Sequence, residues 1–260
     1  MRRNLRRTSI CSCLLLQACG GSGGEETETV ETETANGTSS GGSITIGETN
    51  DPNTDSMSDT GANLCPTLTN WEQMILDDHN NWRSSVDPPA SEMYRVYWDT
   101  EIAANAAGWV SSCDSDWPHS PEEERTGVGG YEVLGENLSY CAGTGCSDLP
   151  EVMDDSGKGD ADGWWAEHTD YNWEDDSSNG VTSHYTQMAS SNVYAIGCAT
   201  QLCEAPGPGG WDGDWWWTIC QYGPRGKAYW VGNKPYEAGD GGLVESPEST
   251  FDDHPGLCKN

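Results

Sequence analysis

The chain has 260 residues, with 43 Asp and Glu against 12 Lys and Arg and a formal net charge of −31. Such a field argues against a nucleic-acid partner, because phosphate binding needs a basic footprint, and it disfavours anionic membrane surfaces while drawing in cations. The first sixty residues hold too little apolar material for a core, so a single folded domain is expected.

The N-terminus carries Arg2, Arg3, Arg6 and Arg7, then an apolar run through Leu14, Leu15 and Leu16, then Gln17, Ala18 and Cys19. This is the layout of an export signal over residues 1–18. The run is far shorter than the roughly 20 residues of a membrane-spanning helix. Ala18 before Cys19, with Gly20 and Gly21 after it, resembles a bacterial lipobox. Cys19 would then be lipidated and hold the protein at the cell envelope, with plain secretion as the alternative. Residues 19–62 are Gly, Ser, Thr, Glu, Asn and Asp with almost no large apolar side chains. That composition reads as a disordered acidic tether, leaving residues 63–260 as the domain.

From Trp71 the pattern becomes helical: Trp71, Ile75, His79 and Trp82 recur at three- and four-residue spacing until Pro88 and Pro89 stop the run. A second helix opens at Asp99 or Thr100, either able to cap it, and is expected to bury Ile102, Ala103, Ala106, Trp109, Val110 and Cys113. After a polar loop, Trp164 to Tyr171 reads as a third short helix. The period then changes to two, and Val193–Ala199 and Trp215–Tyr222 read as strands flanking a Pro/Gly-rich turn at 206–210. Helices segregated from an antiparallel hairpin imply an α+β domain.

Of 11 cysteines, Cys11 and Cys13 would leave with the signal and Cys19 would take the lipid. The even remainder, Cys65, Cys113, Cys141, Cys146, Cys198, Cys203, Cys220 and Cys258, reads as a disulfide framework in an exported chain. Zinc-ribbon spacing is absent.

Several stretches together resemble the CAP superfamily, the domain of cysteine-rich secretory, antigen 5 and pathogenesis-related proteins, also called the SCP domain. They are His79-Asn80 with Arg83, Trp98-Asp99 opening an alanine-rich helix, His119-Ser120, Gly135-Glu136-Asn137-Leu138, Trp164 with Glu167 and Tyr171, His184-Tyr185-Thr186-Gln187-Met188, Ile196-Gly197-Cys198-Ala199, and Cys220-Gln221-Tyr222-Gly223-Pro224. The resemblance implies a three-layer α-β-α sandwich with a central antiparallel sheet. It also implies a cleft in which His119, Glu136, Glu167 and His184 meet, and disulfides Cys113–Cys203, Cys198–Cys220 and Cys141–Cys146, with Cys65 and Cys258 pairing by elimination.

Two imidazoles and two carboxylates suit an open, weak, exchangeable site for Zn²⁺ or another divalent cation, with His119 and His184 as ligands and the glutamates fixing their tautomers. The alternative is that the four simply satisfy one another. Family members commonly bind sterols and other lipids. The expected function is therefore a non-catalytic extracytoplasmic binding module for a hydrophobic or amphipathic small molecule or a peptide, which touches the membrane only through its anchor. A metal-assisted hydrolase with Glu136 or Glu167 as base, or a surface adhesin, are the alternatives. Departures from the family's pattern at Ser183, Ala189 and Ser190 border the cleft.

Other conspicuous residues take structural readings. His79 and Arg83 are expected to brace the core, His168 to be exposed, and His254 to have no role. Of Trp215, Trp216 and Trp217, at least one should pack inward, because a strand alternates faces.

Overall fold

The computed structural model describes residues 65–143, 146, 163–227 and 234–259, so the export signal, Cys19 and the tether lie outside the described residues. Helix α1 spans Asn70–Ser84. Thr69 and Glu72 close a reciprocal capping box at its start, satisfying two backbone N–H groups that a helix end leaves unpaired. Strand β1 (Met93–Tyr94) and strand β2 (Tyr97–Asp99) follow. Asp99 ends β2 and caps α2 (Thr100–Val110), accepting from the amides of Glu101 and Ile102. The second helix buries Ile102, Ala106 and Val110, while Ala103 and Trp109 are only half-buried and Cys113 lies beyond its end.

Strand β3 (Gly135–Ala142) emerges from the stretch read as a polar loop. The segment Trp164–Asp170 is a 3₁₀ helix, tighter than the expected α-helix. It is followed by a small hairpin of β4 (Tyr171–Asn172) and β5 (Ser177–Ser178), and by α3 (Ser183–Met188). Strands β6 (Ala195–Cys203) and β7 (Trp215–Gly223) form the long hairpin. Strand β8 (Leu243–Val244), helix α4 (Ser249–Asp253) and strand β9 (Leu257–Cys258) complete the chain.

The main sheet has the order β3-β7-β6-β2-β9. Its pairs are antiparallel except β2 with β6, which run parallel. A parallel neighbour requires a crossover, and α2 with the long excursion through β3 and α3 supplies it. On one face Ala106 and Val110 of α2 pack on Leu138, Trp215, Trp217 and Ile219. On the other, Ile75 and Leu76 of α1 pack with Tyr185 and Met188 of α3 on Ile196, Cys198, Cys220 and Tyr222. Three layers result.

Trp215 and Trp217 are both fully buried on the α2 face. Trp216 turns the other way, half-buried, and its indole N–H donates to the Cys146 carbonyl at 3.0 Å. The close approach of α2 to β6 depends on Gly197, where a Cβ would come within 2.6 Å of the Ile102 carbonyl carbon and nearer still to the Ala103 nitrogen.

Four disulfides staple the layers: Cys65–Cys258, Cys113–Cys203, Cys141–Cys146 and Cys198–Cys220. The first joins residues 193 apart in sequence, closing the start of the domain onto β9. His254 belongs to the same closure, contrary to the reading that gave it no role. It is buried, bonds the Gly129 carbonyl through Nδ1 at 2.8 Å and the Tyr194 hydroxyl through Nε2 at 2.9 Å, and lies flat on Tyr131. Its neighbours Asp252 and Asp253 suggested a solvated tail, but the C-terminal segment is drawn in by pairing of β9 with β2.

Candidate functional site

The four residues singled out by resemblance form two histidine–glutamate pairs. In the first, Nδ1 of His119 donates to Oε1 of Glu136 at 2.8 Å. The same carboxylate accepts the Ser120 amide at 2.9 Å, the Ser120 hydroxyl at 2.5 Å and the Gln221 amide at 2.9 Å. Gln221 faces Glu136 across the β3–β7 ladder, so strand register places it. The Glu136 side chain is 1% exposed while that of His119 is 53% exposed. Burial pushes the Glu136 carboxyl up, but the bonds from His119, Gln221 and Ser120, with the His119 charge, outweigh it and hold the group below its usual range.

In the second pair, Nδ1 of His184 donates to Oε1 of Glu167 at 2.5 Å. Oε2 of Glu167 accepts the backbone amides of His184 and Tyr185 at 2.9 and 3.2 Å, capping the start of α3 from outside. Trp164 stacks on the His184 ring with 5.9 Å between centroids. In both pairs the glutamate fixes the tautomer, leaving Nε2 as the imidazole nitrogen not bonded to a carboxylate.

The His184 backbone is anchored by a directed chain of hydrogen bonds. Asn137 donates to the His184 carbonyl at 3.1 Å and to the Tyr222 hydroxyl at 3.2 Å. His79 Nδ1 lies 2.7 Å from the Ile75 carbonyl, which can only accept, so Nε2 accepts from the Tyr222 hydroxyl at 3.0 Å. Burial drives the His79 pKa down from 6.5 to about 3, so the ring is neutral. Arg83, one turn later and also buried, donates to the carbonyls of Tyr94, Met188, Ser190 and Val193. His79 and Arg83 are braces that fasten α1 to α3 and the sheet. Asn137, Gln221 and Tyr222 were present in the motifs but had no role assigned; their roles depend on strand register.

His168 is half-buried, not exposed. Its Nδ1 bonds the Trp165 carbonyl at 2.8 Å, and it lines an aromatic cavity with Trp165 and Tyr185.

Among the described residues no group of three or more His, Cys, Asp or Glu is placed to hold a metal ion. A closed zinc site needs four protein ligands and a catalytic one three. The oxygens of Glu136 and Glu167 are already engaged as acceptors, so the two imidazole Nε2 atoms are the ligands most open to a cation. The donor set does not fit a resident zinc centre.

A sequence model of the cysteine-rich secretory protein family, CAP, matches residues 76–222, more than half of the chain. The chain belongs to the CAP family. Cysteine-rich secretory protein 2 of Cavia porcellus is 31% identical over 179 residues, covering 68% of this chain and 65% of the relative. Peptidase inhibitor 16 of Mus musculus is 31% identical over 170 residues, covering 65% of this chain but 30% of the relative. The chain thus spans less than two thirds of either. Among solved structures, venom allergen-like protein 4 of Schistosoma mansoni superposes with a TM-score of 0.51 at 23% identity, covering 67% of this chain and 98% of that one. That likeness gives the CAP fold. Among the described residues of this CAP domain, no helix is long and apolar enough to cross a membrane.

Proposed function

We propose that this chain is a non-catalytic CAP-domain binding module that works outside the cytoplasm. In this reading the surface around His119 and His184 takes up a lipid-like, sterol-like or peptide ligand. The observation that carries it is the engagement of both glutamates by neighbouring donors. Each carboxylate accepts from its histidine and from at least two further donors. A general base needs a lone pair within reach of the water it activates and a pKa near the working pH. Glu136 is instead held low. These carboxylates orient imidazoles, which disfavours Glu136 or Glu167 as the base; a base at an imidazole Nε2 is the reading that the turnover assay separates.

Extracytoplasmic placement is supported by four disulfides, which persist in oxidising compartments, and by relatives named as secretory proteins. Relatives named as peptidase inhibitors support the peptide branch of the ligand class. We further propose lipidation at Cys19, with the acidic segment after it as tether. Divalent cations reach chiefly the two Nε2 atoms, so occupancy is weak and exchangeable and serves no catalytic step.

The test is one preparation with two readouts. Protein passed over a total lipid extract and a peptide library is analysed by mass spectrometry for retained ligand, and separately assayed for peptide and ester turnover. The wild type should retain ligand without turnover, and the His119→Ala/His184→Ala double variant should retain less. Turnover that disappears in the double variant would instead establish the hydrolase. Equal retention by both proteins would place binding elsewhere on the surface.

A further inference from the structure

At the C-terminal end of α1 lies a cavity of about 190 Å³ that the histidine–glutamate pairs do not use. Five aromatic rings run around it in unbroken contact. Trp82 of α1 lies against Trp165 of the 3₁₀ helix at 5.4 Å, and Trp165 meets Tyr185 of α3 edge-on at 5.1 Å. Tyr185 touches Tyr171 at 5.6 Å, and Tyr171 touches Trp173 at 6.0 Å. Trp165 and Tyr185 are buried, whereas Trp82, Tyr171 and Trp173 are half-buried. The wall therefore has a fixed back and an accessible front. Asp87 adds an exposed carboxylate to the lining.

We infer that this cavity binds a methylated ammonium group, such as the trimethylammonium head of a larger molecule. Aromatic faces carry negative quadrupole potential and attract cations within about 6 Å of the ring centroid. A methylated ammonium, unlike a primary one, makes this contact without hydrogen-bond acceptors inside the cage. The Tyr171 hydroxyl is directed away to Asp176 at 2.5 Å, which leaves its ring as the usable surface. Trp173 stacks on Tyr236 at 4.3 Å and carries the Lys234 ammonium 4.7 Å from its centroid, so the guest's aromatic contacts fall to Trp82, Trp165, Tyr171 and Tyr185. The carboxylate of Asp87 and the net charge of −31 both favour a cation over a neutral or anionic guest. The volume is well under the roughly 300–1,000 Å³ of clefts that enclose drug-sized ligands, so the guest is a head group or a small ion. Trp165, His168 and the Tyr185 ring line the cage, whereas Trp164 stacks on His184 and Glu167 bonds its Nδ1; the two places share the 3₁₀ helix and α3, with the Tyr185 amide donating to Glu167. Choline binding is nevertheless read independently of the proposed function.

The probes are choline and its neutral isostere 3,3-dimethylbutan-1-ol, in which carbon replaces the charged nitrogen, titrated against the full chain with tryptophan fluorescence and calorimetry. Choline should saturate and bind about tenfold or more tightly than the isostere. Asp87→Asn, at an exposed position, should weaken choline by about two- to fivefold without altering the isostere. Trp82→Leu should abolish saturation while the variant still melts cooperatively. If the isostere binds as well as choline, the hollow is merely apolar and the inference is overturned. It is equally overturned if choline shows no saturation below about 100 mM, weaker than any useful recognition.

Discussion

Lowering the pH should strike first at His79, and the size of the effect follows from its surroundings. The imidazole is completely buried, with Nδ1 donating to Ile75 and Nε2 accepting from Tyr222. A second proton would sit on Nε2 and force the Tyr222 hydroxyl to turn its hydrogen away. It would also add charge in a buried space already holding Arg83. The folded pKa is about 3 against 6.5 for the free group. Below 6.5 the unfolded chain binds a proton that the folded chain refuses, so stability falls as pH drops from about 6.5 towards 3 and is fully retained above that window. The span between the two values corresponds to about 5 kcal/mol at the acid end, a large share of the 5–15 kcal/mol that typically separates folded from unfolded. Glu136, whose folded pKa is lowered, adds loss of the same sign as pH falls through the carboxylate range. Protonation of the many surface carboxylates acts oppositely by relieving repulsion. The assay is urea unfolding at pH 7, 5.5 and 4 with disulfides intact, for wild type and His79→Gln. The variant should be less stable at pH 7 by about 1–3 kcal/mol, having disturbed buried hydrogen bonds, yet lose less on acidification. Because the carboxylate effects are common to both proteins, the difference between their slopes reports His79 alone. Parallel pH profiles would refute the buried, neutral, acceptor assignment of Nε2.

Two further substitutions test how the layers are joined. Gly197→Ala should lower stability by about 2 kcal/mol or more, because its Cβ meets the α2 backbone and no flexible side chain can yield; thermal melting is the check. Asp99→Ala should cost about 1–2 kcal/mol, since the carboxylate caps two α2 amides and accepts from Tyr131 at 3.3 Å, and amide exchange should quicken in the first turn of α2.

What the sequence disclosed, and what it hid, divides along physical lines. Helices α1 and α2 were legible because each couples a 3.6-residue apolar period to a capping residue, so local chemistry and burial agree. The β6–β7 hairpin was legible through alternation and its Pro/Gly turn, although β6 runs on through the exposed Gln201 and Leu202 to the buried Cys203. Strand β3 was not, since Glu136, Asn137, Ser139 and Tyr140 offer no clean alternation of apolar with polar. A sheet-edge strand bearing functional residues on both faces has little reason to show one. His168 and His254 were misread for a related cause. Their immediate neighbours include Glu167, Thr169 and Asp253, and burial comes from aromatic rings, Trp165 one turn away and Tyr185 across the fold for His168, and the distant Tyr131 and Tyr194 for His254. The histidine–glutamate pairs were reachable only through family resemblance, because residues 17 apart in sequence are joined by the fold and not by periodicity.

The same edge strand explains how both histidines are held. Successive side chains of a strand point to opposite faces. Glu136 therefore turns to the α2 face, meets Gln221 and holds His119, while Asn137 turns to the α1 and α3 face, meets Tyr222 and holds the backbone of His184. Tyr222 passes this restraint to His79, so the position of His184 is tied to the interior of α1. Moving either histidine by an ångström would break bonds to a buried group, with a cost of about 1–3 kcal/mol for each one lost. Such rigidity is consistent with the binding role proposed above. It is poorly suited to a hydrolase that uses either glutamate as its base, because that carboxylate must change partners as protons move through each turnover.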